Sequence, residues 1–253
     1  MNIKLMYNPF TLDGKRILVT GASSGIGKSI AIESSKMGAK VIITGRNEER
    51  LKDTYAQLKG NDHEFVVADL SLKEDIERLH KELPMIHGLV NCAGLTKVVP
   101  FPFATRDSFE EVMNVNFFAP TELTRLLVKS KKIGKGGSIV FISSVSGVYC
   151  SAVASSIYSS SKGAVNGLVK GVALDLASKG IRVNSVNPGM IDTDIFSGSA
   201  ITEDQLKEDM NRYPLGRYGK PEEVANAVIY LLSDAASWTT GSNLLIDGGY
   251  TLL

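Results

Sequence analysis

Tyr158 and Lys162 stand at either end of Tyr158-Ser-Ser-Ser-Lys162. In a helix, residues i and i+4 share a face, so that spacing brings an ammonium beside a phenol ring. A free phenol titrates near pH ~10, too high for proton exchange at neutral pH, and an adjacent ammonium favours the phenolate. The pair is then suited to give a proton to a carbonyl oxygen or take one from an alcohol. Ser144, in Ile142-Ser143-Ser144-Val145-Ser146-Gly147, offers a hydroxyl for the reacting oxygen, with Ser143 and Ser146 as competitors. Asn116 falls inside a helical pattern, where asparagine is a mediocre former. A buried amide there needs partners and can hold a water that links Lys162 to solvent.

These groups need a frame, and the chain supplies one. Short apolar runs at Arg16–Thr20, Val41–Thr44, Phe65–Ala68, Gly88–Asn91, Ser138–Ser143, Arg182–Asn187 and Leu244–Asp247 read as strands. Most are continuous, not alternating, as in strands covered on both faces. Helical segments lie between them: Ser24–Met37, Glu48–Leu58, a Ser71/Glu74 capping box opening a helix to Leu83, Asp107–Lys131 with a kink at Pro120, and Tyr158–Ser178. A further helix starts at Pro221, with Glu222 and Glu223 near its positive end. The alternation predicts an α/β fold with a parallel, doubly wound sheet. We expect one domain over 1–253. The polar stretch 194–218, with a short helix capped by Thr202 and Gln205, is expected to be a substrate lid. Ser144 then falls at the carboxyl end of the fifth strand, the edge where open α/β sheets bind ligands.

Gly21-Ala-Ser-Ser-Gly25-Ile-Gly27 follows the first strand and opens a helix. Glycines permit a tight turn, and a helix N-terminus favours a diphosphate. The side chain that separates NAD from NADP is expected about twenty residues further on. Arg46 stands there, a cation for a 2′-phosphate where an acidic residue would bind a ribose hydroxyl. Asp69 can accept a bond from an adenine amino group, and Asn91-Cys-Ala-Gly94 forms a small-residue corner.

Among the 253 residues, 28 Lys+Arg against 27 Asp+Glu leave a formal charge of +1, which gives no support for a nucleic-acid partner. No apolar run reaches the ~18–20 residues of a membrane span. Met1–Phe10 lacks the pattern of a signal peptide. Cys92 and Cys150 form no disulfide framework and suit a reducing compartment. His63, His80 and His87 lack metal-ligand spacing, so no metal is expected. The basic run Arg125, Lys129, Lys131, Lys132 and Lys135 suits a helix C-terminus. Trp238 is expected in the core or an interface.

Thr20-Gly21-x3-Gly25-x-Gly27, Asn91-x-Ala93-Gly94, Asn116, Ser144, Tyr158-x3-Lys162 and Pro188-Gly189-x3-Thr193 occur in the order found in the short-chain dehydrogenase/reductase family. Pro214-Leu-Gly-Arg217, Pro221-Glu-Glu-Val224 and Gly241…Asp247-Gly248-Gly249 resemble it too. The chain is similar to its compact 3-oxoacyl-[acyl carrier protein] reductase-like members. The resemblance implies a Rossmann-type, doubly wound seven-stranded parallel sheet with helices on both faces, a tetrad of Asn116, Ser144, Tyr158 and Lys162, and a Thr193 that binds the nicotinamide carboxamide. It implies further cofactor contacts from Gly21, Ser23, Ser24, Gly25, Ile26, Gly27, Asp69, Leu70, Asn91, Ala93, Gly94, Pro188 and Gly189. The implied activity is NADP(H)-dependent interconversion of a carbonyl and a secondary alcohol on a small molecule, by a cytoplasmic homotetramer or homodimer. The alternatives are an NAD-dependent sugar, steroid or polyol dehydrogenase and a non-catalytic dinucleotide sensor. Two departures stand out. Ser24 sits where many NADP-preferring relatives carry a base, and the Ser144-to-Tyr158 spacing suggests one extra residue in 145–157. The stretch Asn91–Asp107, and Val172-Ala-Leu-Asp-Leu176 without a basic docking residue, are unlike true carrier-protein reductases.

Overall fold

The computed structural model describes residues 7–193 and 208–253. Seven strands, β1 (Arg16–Thr20), β2 (Lys40–Gly45), β3 (Glu64–Val67), β4 (Ile86–Asn91), β5 (Ile133–Ile142), β6 (Arg182–Pro188) and β7 (Asn243–Ile246), form one sheet in the order β3-β2-β1-β4-β5-β6-β7. All six pairings are parallel. The helices are α1 (Gly25–Lys36), α2 (Glu48–Tyr55), α3 (Lys73–Glu82), α4 (Arg106–Met113), α5 (Ala119–Lys129), α6 (Ser156–Ala177) and α7 (Pro221–Leu232). Alternate strand residues feed two cores. Ile17, Val19, Val41 and Ile43 pack with Ile30 of α1 and Val224 and Val228 of α7. Leu18, Ile42 and Leu89 pack with Leu79 of α3, Leu123 of α5 and Val169 of α6. The sheet is thus covered on both faces, and its central strands are largely apolar for that reason.

Several local readings are revised. β4 and β5 begin earlier than their apolar runs, because Ile86 pairs with Ile133 before the register shifts to Gly88 and Ser138. Ser71 and Glu74 form no capping box. The Ser71 N–H and hydroxyl both donate to Asp69 Oδ1, at 2.9 and 2.7 Å, and Asp75 accepts the Asp69 N–H at 2.7 Å. That N–H and the Arg78 guanidinium hold the Asp75 carboxyl below the usual range. The helix expected over 107–131 is broken by a π turn, Asn114–Phe118, and not at Pro120, which sits in the first turn of α5. Trp238 is wholly exposed and outside either core. The proposed Thr202–Gln205 cap lies outside the described residues. Segment 208–219 runs back to the end of β6, where Gly219 N–H donates to Met190 O at 3.0 Å.

β1 is flanked by β2 on one side and β4 on the other, so the chain leaves this point in opposite directions and opens a crevice at the carboxyl edge. Thr20 clips the crevice floor. Its buried hydroxyl donates to Val90 O at 3.3 Å and accepts the N–H groups of Cys92 and Ala93 at 3.0 and 3.1 Å. Thr20→Val leaves those amides without their acceptor and is expected to cost about 1–3 kcal/mol. Denaturant unfolding checks this: an unchanged midpoint would show the clip to be dispensable.

Candidate active site

The turn after β1 presses directly on the turn after β4. Gly21 has φ +65°, and a Cβ there would lie 2.7 Å from Ala93 Cα. A Cβ on Gly27 would lie 2.3 Å from Gly21 O, so α1 starts hard against the turn. Ser24 is the N-cap of α1 but makes no side-chain capping bond. The first turn of α1, Gly25 to Gly27, therefore presents N–H groups and the positive end of the helix to the crevice. Leaving Ser24 uncommitted suits a diphosphate better than a capped end would.

Other cofactor candidates lie along the same edge. Ser23 Oγ is 3.4 Å from where a Cβ on Gly45 would stand, at the end of β2. Arg46, the next residue, is exposed and forms no ion pair among the described residues. Asn47 caps α2 by accepting the Arg50 N–H, which fixes this corner. Asp69 has one carboxylate oxygen committed to Ser71, and Leu70 beside it is buried. Across the crevice, the Thr193 methyl is 3.4 Å from the position a Gly25 Cβ would take. Ile26 packs into the core behind α1. Asn91 donates to Thr124 Oγ1 at 3.1 Å and ties β4 to α5. Pro188 accepts the Val145 N–H, and the Gly189 N–H donates to Ile246 O, so these two fasten β6 to its neighbours.

Two of the four expected catalytic side chains, Asn116 and Lys162, border the gap at Gly94. A Cβ on Gly94 would lie 3.2 Å from Asn116 Oδ1 and 3.7 Å from Lys162 Nζ. Lys162 is 6% exposed, and its ammonium donates to Ile142 O at 2.8 Å. That ammonium stands 5.7 Å from the centroid of the half-buried Tyr158 ring. Asn116 lies in the π turn, a departure from the helix that recurs at functional sites. Its amide group donates to Leu95 O at 2.9 Å and Ser161 Oγ at 3.0 Å, and Oδ1 accepts the Leu95 N–H at 2.8 Å. Both amide protons are taken by protein, so any water at Asn116 must use the second Oδ1 lone pair.

Their bonds separate Ser143 from Ser144. Ser143 Oγ donates to Lys162 O at 3.1 Å and accepts from Asn166 Nδ2 at 2.9 Å. Ser144 Oγ accepts the Ser146 N–H at 3.1 Å, and its own proton has no acceptor among the described residues. Ser144 keeps a donor for a ligand, and Ser143 does not. Burial pushes the Cys92 thiol up to about 12, against the pull of the Lys162 charge, so Cys92 is a poor nucleophile. Burial also raises Cys150. Among the described residues no three His, Cys, Asp or Glu side chains gather to hold a metal. Nor is any described helix long and apolar enough to cross a membrane. In the basic run, Arg125 pairs with Glu122 and Lys132 binds the carbonyls of His80, Lys81 and Leu83 at the end of α3.

Sequence reasoning missed the polar groups beneath Ser144. Asn166, Ser185 and Asn187 are buried and hydrogen-bonded to one another. A signal was there to read: two strand positions facing a helix are polar where an apolar run is the rule.

A family model described as Enoyl-(Acyl carrier protein) reductase matches residues 21–251. The chain is 36% identical over 242 residues to the 3-oxoacyl-[acyl-carrier-protein] reductase FabG of Rickettsia felis, covering 96% of this chain and 99% of that one. It is 37% identical to the L-xylulose reductase of Caenorhabditis elegans, over 94% of this chain and 96% of that one. A Pseudomonas aeruginosa RhlG/NADP active-site complex shares the fold with a TM-score of 0.90 at 31% identity, over 97% of this chain and 100% of that one. The chain belongs to the short-chain dehydrogenase/reductase family. It is an oxidoreductase of that family.

The bonding difference between the two serines sets their expected costs. Ser143→Ala removes two buried bonds and should lower unfolding free energy by about 1–3 kcal/mol, whereas Ser144→Ala should cost less than about 1 kcal/mol. Equal losses in denaturant melts would contradict this division of labour.

Proposed function

We propose that the protein is an NADP(H)-dependent reductase of a small carbonyl compound, interconverting it with the secondary alcohol. The observation that carries this reading is the gap at Gly94, bordered by Asn116 Oδ1 and Lys162 Nζ at the end of the dinucleotide crevice. NADPH, when bound, supplies the hydride that reaches the carbonyl carbon. Support for that cofactor comes from the close-pressed Gly21 turn, the uncapped α1 N-terminus and the unpaired Arg46, which suits a 2′-phosphate. In this reading Asp69 takes the adenine amino group and Thr193 the nicotinamide carboxamide.

Ser144 donates to the substrate oxygen and orients it. Tyr158 gives that oxygen its phenolic proton as the C–H bond forms, so the products are the alcohol and a phenolate. Lys162 brings positive charge beside that phenolate and can hold a ribose hydroxyl. Asn116 fixes the Gly94–Leu95 backbone and offers its free lone pair to a relay water that returns the proton.

The substrate is best read as 3-oxoacyl-like and apolar. Residues 143–161, which flank Ser144 and Tyr158, include no charged side chain. The facing loop carries Lys97, and that ammonium is paired with Glu111. Val98, Phe101, Phe103 and Val153 are exposed on these same two loops, which Val99 N–H joins by donating to Ala154 O at 2.9 Å. Those exposed apolar side chains favour an acyl chain over a polyol. Of the lid expected over 194–218, residues 194–207 lie outside the described residues. A second copy of the chain, in a homotetramer or homodimer, covers exposed Leu174, Trp238, Leu252 and Leu253 and the edge of β7 that has no strand partner among the described residues. The free thiols suit the cytoplasm.

Two measurements test the reading. Tyr158→Phe should cut turnover of a medium-chain 3-oxoacyl thioester by about 10²–10⁴-fold with NADPH affinity nearly kept; normal turnover would defeat the mechanism. Arg46→Ala should weaken NADPH binding by about 10–100-fold and leave NADH binding unchanged. Tighter NADH binding by the wild type would overturn the cofactor assignment.

A further inference from the structure

β6 and α6 pack through Val183, Val169, Ala173 and Leu176 at their far ends, an ordinary apolar contact. Toward Ser144 the same contact turns polar: Ser185 and Asn187 on β6 face Asn166 and Lys162 on α6, all buried. β5 continues past its end by Ser143 N–H donating to Val186 O at 2.8 Å and Val145 N–H to Pro188 O at 3.0 Å. Between these two rungs Asn187 Nδ2 donates to Ser144 O at 2.8 Å and to Asn166 Oδ1 at 2.9 Å. Asn166 Nδ2 then donates to Lys162 O at 3.0 Å and Ser143 Oγ at 2.9 Å. Ser185 Oγ closes the network with a single proton, nearest to Asn187 Oδ1 and Asn243 Oδ1, both at 2.8 Å.

We propose that Asn187 is a positioning residue for the reaction, holding Ser144 and, through Asn166, Lys162 in one hydrogen-bonded frame. The inference rests on the reductase reading above. An apolar residue at 187 would fill the space, yet it would leave Ser144 O without its donor and the strand end free to shift. A displacement near 1 Å at reacting groups is enough to slow chemistry by ~100-fold.

The test compares Asn187→Ala with Ser185→Ala in the full-length chain, using NADPH oxidation against a panel of 3-oxoacyl thioesters, apolar ketones and ketoses. Ser185→Ala removes a network member but keeps both amide bonds to Ser144 O and Lys162 O. Asn187→Ala should lower kcat by ~100-fold with KM and NADPH affinity within about threefold, and should displace the pH–rate profile. Ser185→Ala should lower the melting temperature with kcat within about twofold. Should Asn187→Ala fail to bind NADPH, Asn187→Ser replaces it, and a kcat between those of wild type and Ser185→Ala would overturn the proposal. Unchanged kcat in Asn187→Ala, or losses in both variants that track melting temperature, would do the same. Absence of wild-type turnover across the panel would overturn the reductase reading and this inference with it.

Discussion

Burying the Lys162 ammonium is the constraint on which the site depends. An ammonium withdrawn from water costs several kcal/mol unless acceptors surround it. Ile142 O supplies one acceptor, and that carbonyl belongs to the last residue of β5. The helix carrying Lys162 must therefore lie close against the end of the strand. The loop between them accommodates this with Gly147, where a Cβ would stand 2.2 Å from Ser159 O and 2.6 Å from Gly163 N. Once α6 is so placed, Tyr158 follows from helical spacing and Ser144 from its position just beyond the strand.

The other half of the crevice answers a different demand, close approach of two turns to a diphosphate. Thr20 and Gly21 meet it by joining the ends of β1 and β4 through one hydroxyl and one missing side chain. Asn116 connects the halves, since its amide grips Leu95 just after the Gly94 corner and Ser161 just before Lys162. Cofactor edge and proton-handling edge are thus locked by a single side chain.

The sequence made the sheet legible because buried parallel strands are continuous apolar runs, and β1 was delimited to the residue. It made Tyr158, Lys162 and Ser144 legible because their relations are local in the chain. What escaped it was settled across long separations. Ile133 pairs with Ile86 although glycines interrupt its run. Asn187 finds Ser144 and Asn166 across 43 and 21 positions, and no spacing rule describes that. The Ser71 capping box failed because Asp69, two residues away, competed for the same hydroxyl and backbone. Ser143 and Ser144 were interchangeable as letters and became distinct only when Asn166 and Lys162 claimed one of them.

The π turn at Asn114–Phe118 has a consequence for how this protein tolerates change. One residue beyond the α repeat rotates everything after it by about 100°. α4 and α5 therefore aim their apolar sides independently, with α4 set toward α6 and α5 toward α3. Substitutions that retune the α3–α5 seam need not turn the α4 side against the helix that carries Tyr158. The joint behaves as a mechanical coupling with slack: the outer wall can drift over generations while the chemistry stays registered.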